Sequence, residues 1–188
     1  YYDKGEPQYA QLEGLRERAR QAIGINPHHR YYDGLSLLHF ISAADSNSPL
    51  FQRRGQFEQS ITAAEASLDR APSQPRTWLR IAQARSWLRY PPEQVIDALK
   101  MAIYTGRVEP SLFMTRLTLG LAYLSRMDSE GTAMMRDQVL LAWKMQPRQL
   151  VQELKTGRLR AAPLASLLSE AHQTVLAEIE EAAGGPVR

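Results

Sequence analysis

Apolar residues recur at steps of three and four residues along most of the chain, which is the spacing of a helix with one buried face. The clearest example runs from Pro163 to Ala182, where apolar side chains keep to one side and polar side chains to the other. A glycine pair and Pro186 follow, and this is a typical end for a helix. The pattern therefore predicts an amphipathic C-terminal helix over residues 163–183, which caps the domain.

The same spacing predicts eight more helices and an all-α fold. Valine, isoleucine and threonine never alternate with polar residues over a useful length, and no Asn-Gly or Asp-Gly hairpin turn is present, so no strand is predicted. Short connections between helices of similar length favour antiparallel neighbours, and hence a stack of helical hairpins. The predicted helices cover residues 7–25, 29–44, 55–70, 74–89, 92–105, 109–125, 130–145, 148–156 and 163–183.

A short sequence phrase recurs at the ends of several predicted helices. It consists of a small residue, a large apolar residue and, four positions later, a proline, and it ends at Pro27, Pro72 and Pro147. Trp78 follows Pro72 by six positions, and residues 119–123 read Leu-Gly-Leu-Ala-Tyr. These features resemble tetratricopeptide (TPR) repeats, in which small residues let two helices approach closely while large ones fill the groove beside them.

The TPR-like resemblance spans about residues 19–147 and implies a short right-handed solenoid of about nine helices, forming a single domain over residues 1–188. Two departures from the repeat are visible: Arg85 stands where an aromatic residue is usual, and the prolines are unequally spaced. An irregular helical bundle is the alternative. The repeat register predicts that six residues are buried between helices: Trp78, Ile81, Leu119, Ala122, Leu141 and Leu168.

A second resemblance is confined to residues 98–151. Its segments 104–112, 116–121 and 136–143 are similar to the small accessory proteins of bacterial exopolysaccharide clusters, the VpsP-like family. The resemblance implies an accessory factor in polysaccharide assembly or export, with membrane polysaccharide-assembly components as partners. It also implies a location in the bacterial cell envelope, on the periplasmic side of the inner membrane. A cytoplasmic location is the alternative.

Composition narrows the classes of function. The chain is 44% hydrophobic and 23% charged, as is usual for a globular domain, and it has no apolar run long enough to cross a membrane. The net charge is only +3 and the arginines are spread through the helices, so we expect no nucleic-acid partner. The absence of cysteine excludes disulfides and thiolate chemistry. Because the first residue is Tyr1 and not Met, we expect any membrane attachment to come from a segment upstream of it.

No arrangement of residues in the sequence predicts catalysis. His28 and His29 are adjacent and point apart, which does not suit a metal pair. Neither a Gly-x-Ser-x-Gly elbow nor a glycine-rich phosphate loop is present. Glu93 and Asp97 lie in the first turns of a predicted helix, where acids offset the helix dipole. We therefore predict that the chain is not an enzyme, with no catalytic residue, no metal and no cofactor.

Arginine and tryptophan are concentrated on the predicted helix over residues 74–89. At 100° per residue, Arg76 and Arg80 share one face, and Trp87 points towards them. Arg85 falls on the apolar side, so it either pairs with a carboxylate, which we favour, or faces a groove that receives an anion. Because arginine and tryptophan concentrate binding energy at interfaces, these four residues are the predicted partner surface.

The sequence thus favours a non-catalytic scaffold for protein–protein interaction, associated with the envelope and accessory to exopolysaccharide assembly or export. The alternative is a glycan-binding or polysaccharide-modifying helical protein. That alternative requires a carboxylate pair, or a row of exposed aromatic side chains, converging in one cleft.

Overall fold

The computed structural model describes residues 7–168 and 172–185, and all regular secondary structure within these ranges is helical. The all-α prediction is confirmed. Two short 3-10 turns, Pro110–Leu112 and Leu124–Arg126, flank α6. The α-helices are α1 (Pro7–Ile25), α2 (His29–Ala44), α3 (Leu50–Leu68), α4 (Pro75–Trp87), α5 (Pro92–Thr105), α6 (Phe113–Tyr123), α7 (Ser129–Met145), α8 (Pro147–Lys155), α9 (Ala161–Leu168) and α10 (Gln173–Ala183).

The C-terminal helix predicted over residues 163–183 is not continuous. α9 and α10 are separate helices, and the backbone of His172 between them is not helical (φ −139°, ψ 45°), while residues 169–171 lie outside the described ranges. The apolar spacing missed this break because it stays in register on both sides and no proline or glycine marks it. The predicted glycine ending is present: Gly184 is left-handed (φ 85°) and its N–H donates to the Glu181 carbonyl.

α3 also differs from its prediction, because it begins at Leu50 and not at residue 55. Its first turn places Leu50 and Phe51 in solvent, 80% and 74% exposed, so this turn lacks the buried face that apolar spacing detects. The residues between Leu50 and Gly55 are therefore helical, and their side chains have the fixed directions of a helix and not those of a loop.

Contacts between Cα atoms divide the chain into two compact units, Tyr1–Val95 and Ile96–Arg188. The first unit contains α1 to α4 and the beginning of α5, and the second contains the rest of α5 and α6 to α10. The prediction of a single domain over residues 1–188 concerns how the units combine, and it stays a prediction.

In the first unit, α2 and α3 run antiparallel at close range. The hydroxyl of Ser36 donates to the carbonyl of Ser60 (2.8 Å), and the hydroxyl of Ser60 donates to the carbonyl of Ser36 (2.9 Å). Near one end of the pair, the hydroxyl of Ser67, late in α3, donates to the carbonyl of His29, at the start of α2. Small side chains let the two backbones approach, and their buried hydroxyls are satisfied by the facing carbonyls.

α4 packs antiparallel on α3 in turn. Gln74, just before α4, donates from Nε2 to the hydroxyl of Ser67 (3.1 Å), late in α3. At the other end, the ring of Trp87 stacks on that of Phe57, with centroids 5.7 Å apart and planes inclined by 17°. The antiparallel packing brings the beginning of α3 and the end of α4 together, and the candidate site lies between them.

In the second unit, α6 and α7 pack through a glycine. The core here includes Phe113, Leu117, Met135 and Val139, all fully buried. A Cβ atom added to Gly120 would overlap the thioether of Met135, so a larger residue at this approach would require the buried Met135 side chain to move.

The structure buries some of the six predicted core residues and leaves others partly or fully exposed. Ile81 and Leu168 are buried as expected. Trp78, Leu119 and Leu141 are only partly buried. The sixth, Ala122, is exposed, so its predicted burial is wrong. The repeat register assigned the close helix approach to Ala122, whereas Gly120, two positions earlier, makes it.

Leucine substitutions at Gly120 and at Ala122 test which of the two residues makes the close helix approach. Gly120→Leu should lower the free energy of unfolding by about 2 kcal/mol, because the new side chain overpacks the buried thioether of Met135. Ala122→Leu should change it by less than about 0.5 kcal/mol, because Ala122 is exposed. Urea denaturation followed by circular dichroism measures both, and equal effects of the two substitutions would show that the packing face of α6 is misassigned.

No helix in the described part of the chain combines the length and the apolar character needed to span a bilayer.

Candidate partner-binding cleft

A cleft of about 620 Å³ opens in the first unit between the beginning of α3 and the end of α4. The antiparallel packing of these helices brings together residues more than thirty positions apart in the sequence. Three arginines contribute to the walls, and none of the aspartates and glutamates that the structure describes does. The lining residues are Leu50, Arg53, Arg54, Phe57, Ser86, Trp87, Leu88 and Arg89.

A stack of side chains forms one wall of the cleft. Phe57 is buried at 3% exposure and supports the ring of Trp87, which remains 59% exposed. The guanidinium carbon of Arg53 lies 5.0 Å from the centroid of the same ring, within cation–π range. The Nε of Arg53 also donates to the carbonyl of Ala43 (2.8 Å), in the last turn of α2. Trp87 is therefore held in place while much of its surface stays open.

Arg89 sits at the mouth of the cleft in an unusual backbone conformation. Its φ of 58° makes it the one residue other than glycine with a left-handed backbone in the described part of the chain. The N–H of Arg89 donates to the Ser86 carbonyl and that of Tyr90 to the Arg85 carbonyl, which is the Schellman ending of a helix. Glycine is usual at this position, and a larger residue there costs about 1 kcal/mol.

The guanidinium groups of the cleft carry an excess of positive charge. The side chain of Arg89 is exposed and makes no hydrogen bond or ion pair with any described residue. Arg54 pairs with Glu58 (Nε to Oε1, 3.1 Å), but both side chains are at least half exposed, so water screens this pair. With one partly compensating carboxylate for three arginines, the cleft suits an anionic ligand.

Large apolar side chains lie exposed around the same cleft. Leu50 and Trp87 line it, at 80% and 59% exposure. Two large apolar side chains exposed in one cleft give a partner apolar surface to contact.

The structure buries Arg80, one of the four predicted surface residues. Its side chain is 9% exposed, and its Nη1 donates to Oδ1 of Asp33 (2.9 Å) and to the Asp33 carbonyl (3.0 Å) on α2. The sequence interpretation placed Arg80 on an exposed face beside Arg76; only Arg76 is exposed. The placement was incorrect because the projection of a helix shows which residues share a face but not which neighbour covers it.

Two more residues of the predicted surface, Arg85 and Trp87, have different surroundings. Arg85 donates to Oε1 of Glu65 (3.0 Å) and to the Gln94 carbonyl (3.1 Å), so the favoured carboxylate pairing is present. Trp87 lies eleven residues beyond Arg76 on the same helix, about 16 Å along its axis, so these two side chains do not form one site. Of the four predicted residues, only Trp87 lines the cleft. The binding role of the four stays a prediction.

Sequence reasoning missed Arg53, Arg54 and Arg89. The signal for the first two was present, since an apolar pair and an arginine pair follow one another at residues 50–54. The predicted start of α3 at residue 55 left this segment in a loop, where no direction could be assigned to its side chains. No signal marked the left-handed backbone of Arg89, because glycine is its usual indicator.

The described residues contain no group of three or more histidine and acidic side chains placed to hold a metal ion. Comparison of the chain with protein-family models, with curated proteins and with solved structures finds no match.

Proposed function

We propose that this chain is a non-catalytic binding protein that captures an acidic segment of a partner protein in the cleft between α3 and α4. One observation carries the proposal: three arginines and an exposed, supported tryptophan line one cleft that no described carboxylate lines. Guanidinium groups recognise carboxylates through paired hydrogen bonds, and a fixed tryptophan gives contact area at little cost in entropy.

The size and rim of the cleft favour a protein segment over an isolated anion. A small anion would need only the arginines, whereas Leu50 and Trp87 offer apolar surface that a partner's apolar side chain would cover. We therefore propose a segment in which acidic residues flank an apolar anchor. The glycan-binding alternative is less favoured by this site, because Trp87 is the single exposed aromatic among the lining residues and no carboxylate pair is present there.

We also propose that the helices form a TPR-like stack. The antiparallel packing of α2 on α3 and of α3 on α4 supports this, as do the hydrogen bonds from Arg80 and Thr77 on α4 to Asp33 on α2. The likeness of residues 98–151 to exopolysaccharide accessory proteins supports a role in polysaccharide assembly or export on the periplasmic side of the inner membrane. The captured segment would then belong to a membrane component of that machinery.

Trp87→Ala should weaken binding of an acidic peptide about tenfold or more, because a central tryptophan is a typical source of interface energy. The measurement is fluorescence anisotropy with a labelled peptide of alternating glutamate and leucine. Arg76→Gln, on the same helix but outside this cleft, separates the cleft from the surface predicted from the sequence and should leave binding of this peptide unchanged. The same peptide with lysine in place of glutamate should not bind. Equal affinity of wild type and Trp87→Ala would exclude this cleft, and turnover of a glycan by the purified chain would contradict the non-catalytic assignment.

A further inference from the structure

A second cleft, of about 570 Å³, lies in the second unit among residues of α6, α7 and α9. Leu124 and Pro163 are only partly buried and contribute apolar surface to it. Two arginines, Arg136 and Arg160, also line it, and none of the described aspartates and glutamates does. The cleft thus combines an apolar wall with positive charge that no described carboxylate in its lining offsets, and its lining residues differ from those of the cleft between α3 and α4.

The two arginines retain unused hydrogen-bond donors. Arg136 donates from Nε to the carbonyl of Leu167 (3.0 Å), which fixes its side chain, but its terminal nitrogens bond to no described residue. Arg160 is exposed, and its guanidinium makes no hydrogen bond or ion pair within the described ranges. A planar guanidinium anchored at one nitrogen is well prepared to bind an anion with the others.

Hydroxyl groups add neutral donors to the same walls. Ser125 and Thr132 both line the cleft, and neither side chain has a hydrogen-bond partner among the described residues. Guanidinium and hydroxyl donors together match a phosphoryl group, whose three terminal oxygens accept hydrogen bonds from several directions. A carboxylate, with two oxygens in one plane, would use fewer of these donors.

We propose that this cleft binds the phosphoryl group of a small molecule that also carries an apolar portion, with Arg136 and Arg160 holding the phosphoryl group and Leu124 contacting the apolar portion. The volume lies within the range of small-molecule sites. Among the described residues, none of the large exposed apolar side chains lines the cleft, which distinguishes it from the partner-binding cleft of the first unit. The ligand class therefore includes phosphate monoesters in solution and the headgroups of anionic lipids.

Calorimetric titration of phenyl phosphate into the full chain tests the proposal. Saturable binding is expected, with inorganic phosphate at least several-fold weaker because it lacks the apolar portion, and with no binding of benzyl alcohol, which lacks the charge. Arg160→Gln should weaken phenyl phosphate about tenfold. Ala122→Leu, at an exposed lining residue, should weaken it by occupying the cleft while leaving the thermal midpoint unchanged.

Arg158→Gln is the matched control, because Arg158 is 72% exposed, lies two residues before Arg160 and does not line the cleft. It should leave phenyl phosphate binding unchanged. Sedimentation with phosphatidic acid vesicles, against phosphatidylcholine vesicles, separates the two sources: loss of vesicle binding in Arg160→Gln indicates a lipid headgroup, and phenyl phosphate binding alone indicates a soluble ester. Absence of saturable phenyl phosphate binding, or equal weakening by Arg160→Gln and Arg158→Gln, would overturn the proposal.

Discussion

Arg116→Ala should lower the free energy of unfolding by about 4 kcal/mol, more than is expected for a substitution at Gly120 or Arg80. The side chain of Arg116 is fully buried. Its Nη1 donates to Oε1 of Gln138 (3.0 Å) and its Nη2 to the carbonyl of Ala102 (2.6 Å). Alanine would leave both acceptors buried without a donor and a cavity where the long side chain had been.

The environment of Arg116 explains how a buried cation without a bonded carboxylate is tolerated. Ala102 belongs to the last turn of α5, where carbonyls lack partners within the helix and the helix dipole favours positive charge. Burial lowers the pKa of Arg116 to about 10, so the guanidinium remains charged at neutral pH. Gln138, also fully buried, donates in turn from Nε2 to the carbonyl of Arg107 (2.9 Å).

Urea denaturation followed by circular dichroism measures the effect of Arg116→Ala. Arg116→Met is the informative companion, since it keeps most of the volume but also leaves both acceptors without a donor; it should lose less stability than Arg116→Ala, by the cost of the cavity. Arg126→Ala, at an exposed arginine, should be nearly neutral. A loss below about 1 kcal/mol for Arg116→Ala would mean that this side chain is not part of the core.

Arg80→Ala should lower the free energy of unfolding by about 3 kcal/mol. This is less than the loss expected for Arg116→Ala, because Asp33 is partly exposed to water. Arg80 and Thr77 both donate to Oδ1 of Asp33, at 2.9 and 2.6 Å, and join α4 to α2. Removal of Arg80 leaves the carboxylate of Asp33 with one side-chain donor, the hydroxyl of Thr77. Because the side chain of Asp33 is 31% exposed, water offsets part of this loss, and the expected cost lies at the lower end for a buried pair.

The control for Arg80→Ala lies one turn earlier on the same helix. Arg76→Ala should change stability by less than about 1 kcal/mol because Arg76 is exposed. In a double-mutant cycle, Asp33→Ala should be less harmful when Arg80 is already alanine, with a coupling of about 1–3 kcal/mol. Additive losses in the cycle, or equal losses at Arg76 and Arg80, would contradict the burial of this pair.

Much of the fold followed from local signals in the sequence. α5 matches its predicted bounds, since Pro92 begins it and an amphipathic pattern fills it as far as Thr105. The sequence also predicted that Arg85 pairs with a carboxylate, because an arginine on an apolar face requires a partner. Helix periodicity and proline are local signals, so a single sequence is sufficient to read them.

The candidate site was harder to predict from the sequence, because its residues come together only through tertiary packing. Phe57 and Trp87 are thirty residues apart, and nothing in either helix indicates that α3 and α4 place their rings in contact. The burial of Arg80 likewise depends on Asp33, forty-seven residues earlier. Apolar spacing identifies faces, whereas a site requires the direction and register with which those faces pack.

Arg89→Gly, with stability and peptide binding measured on the same samples, is the most direct test of the proposed cleft. We expect opposite changes in the two quantities. The free energy of unfolding should rise by about 1 kcal/mol, because glycine suits the left-handed backbone at φ 58°. Affinity for the labelled glutamate–leucine peptide falls several-fold, because an unpaired arginine leaves the cleft. A variant that gains stability and binds the peptide as tightly as wild type would contradict the assignment of this cleft to an acidic partner.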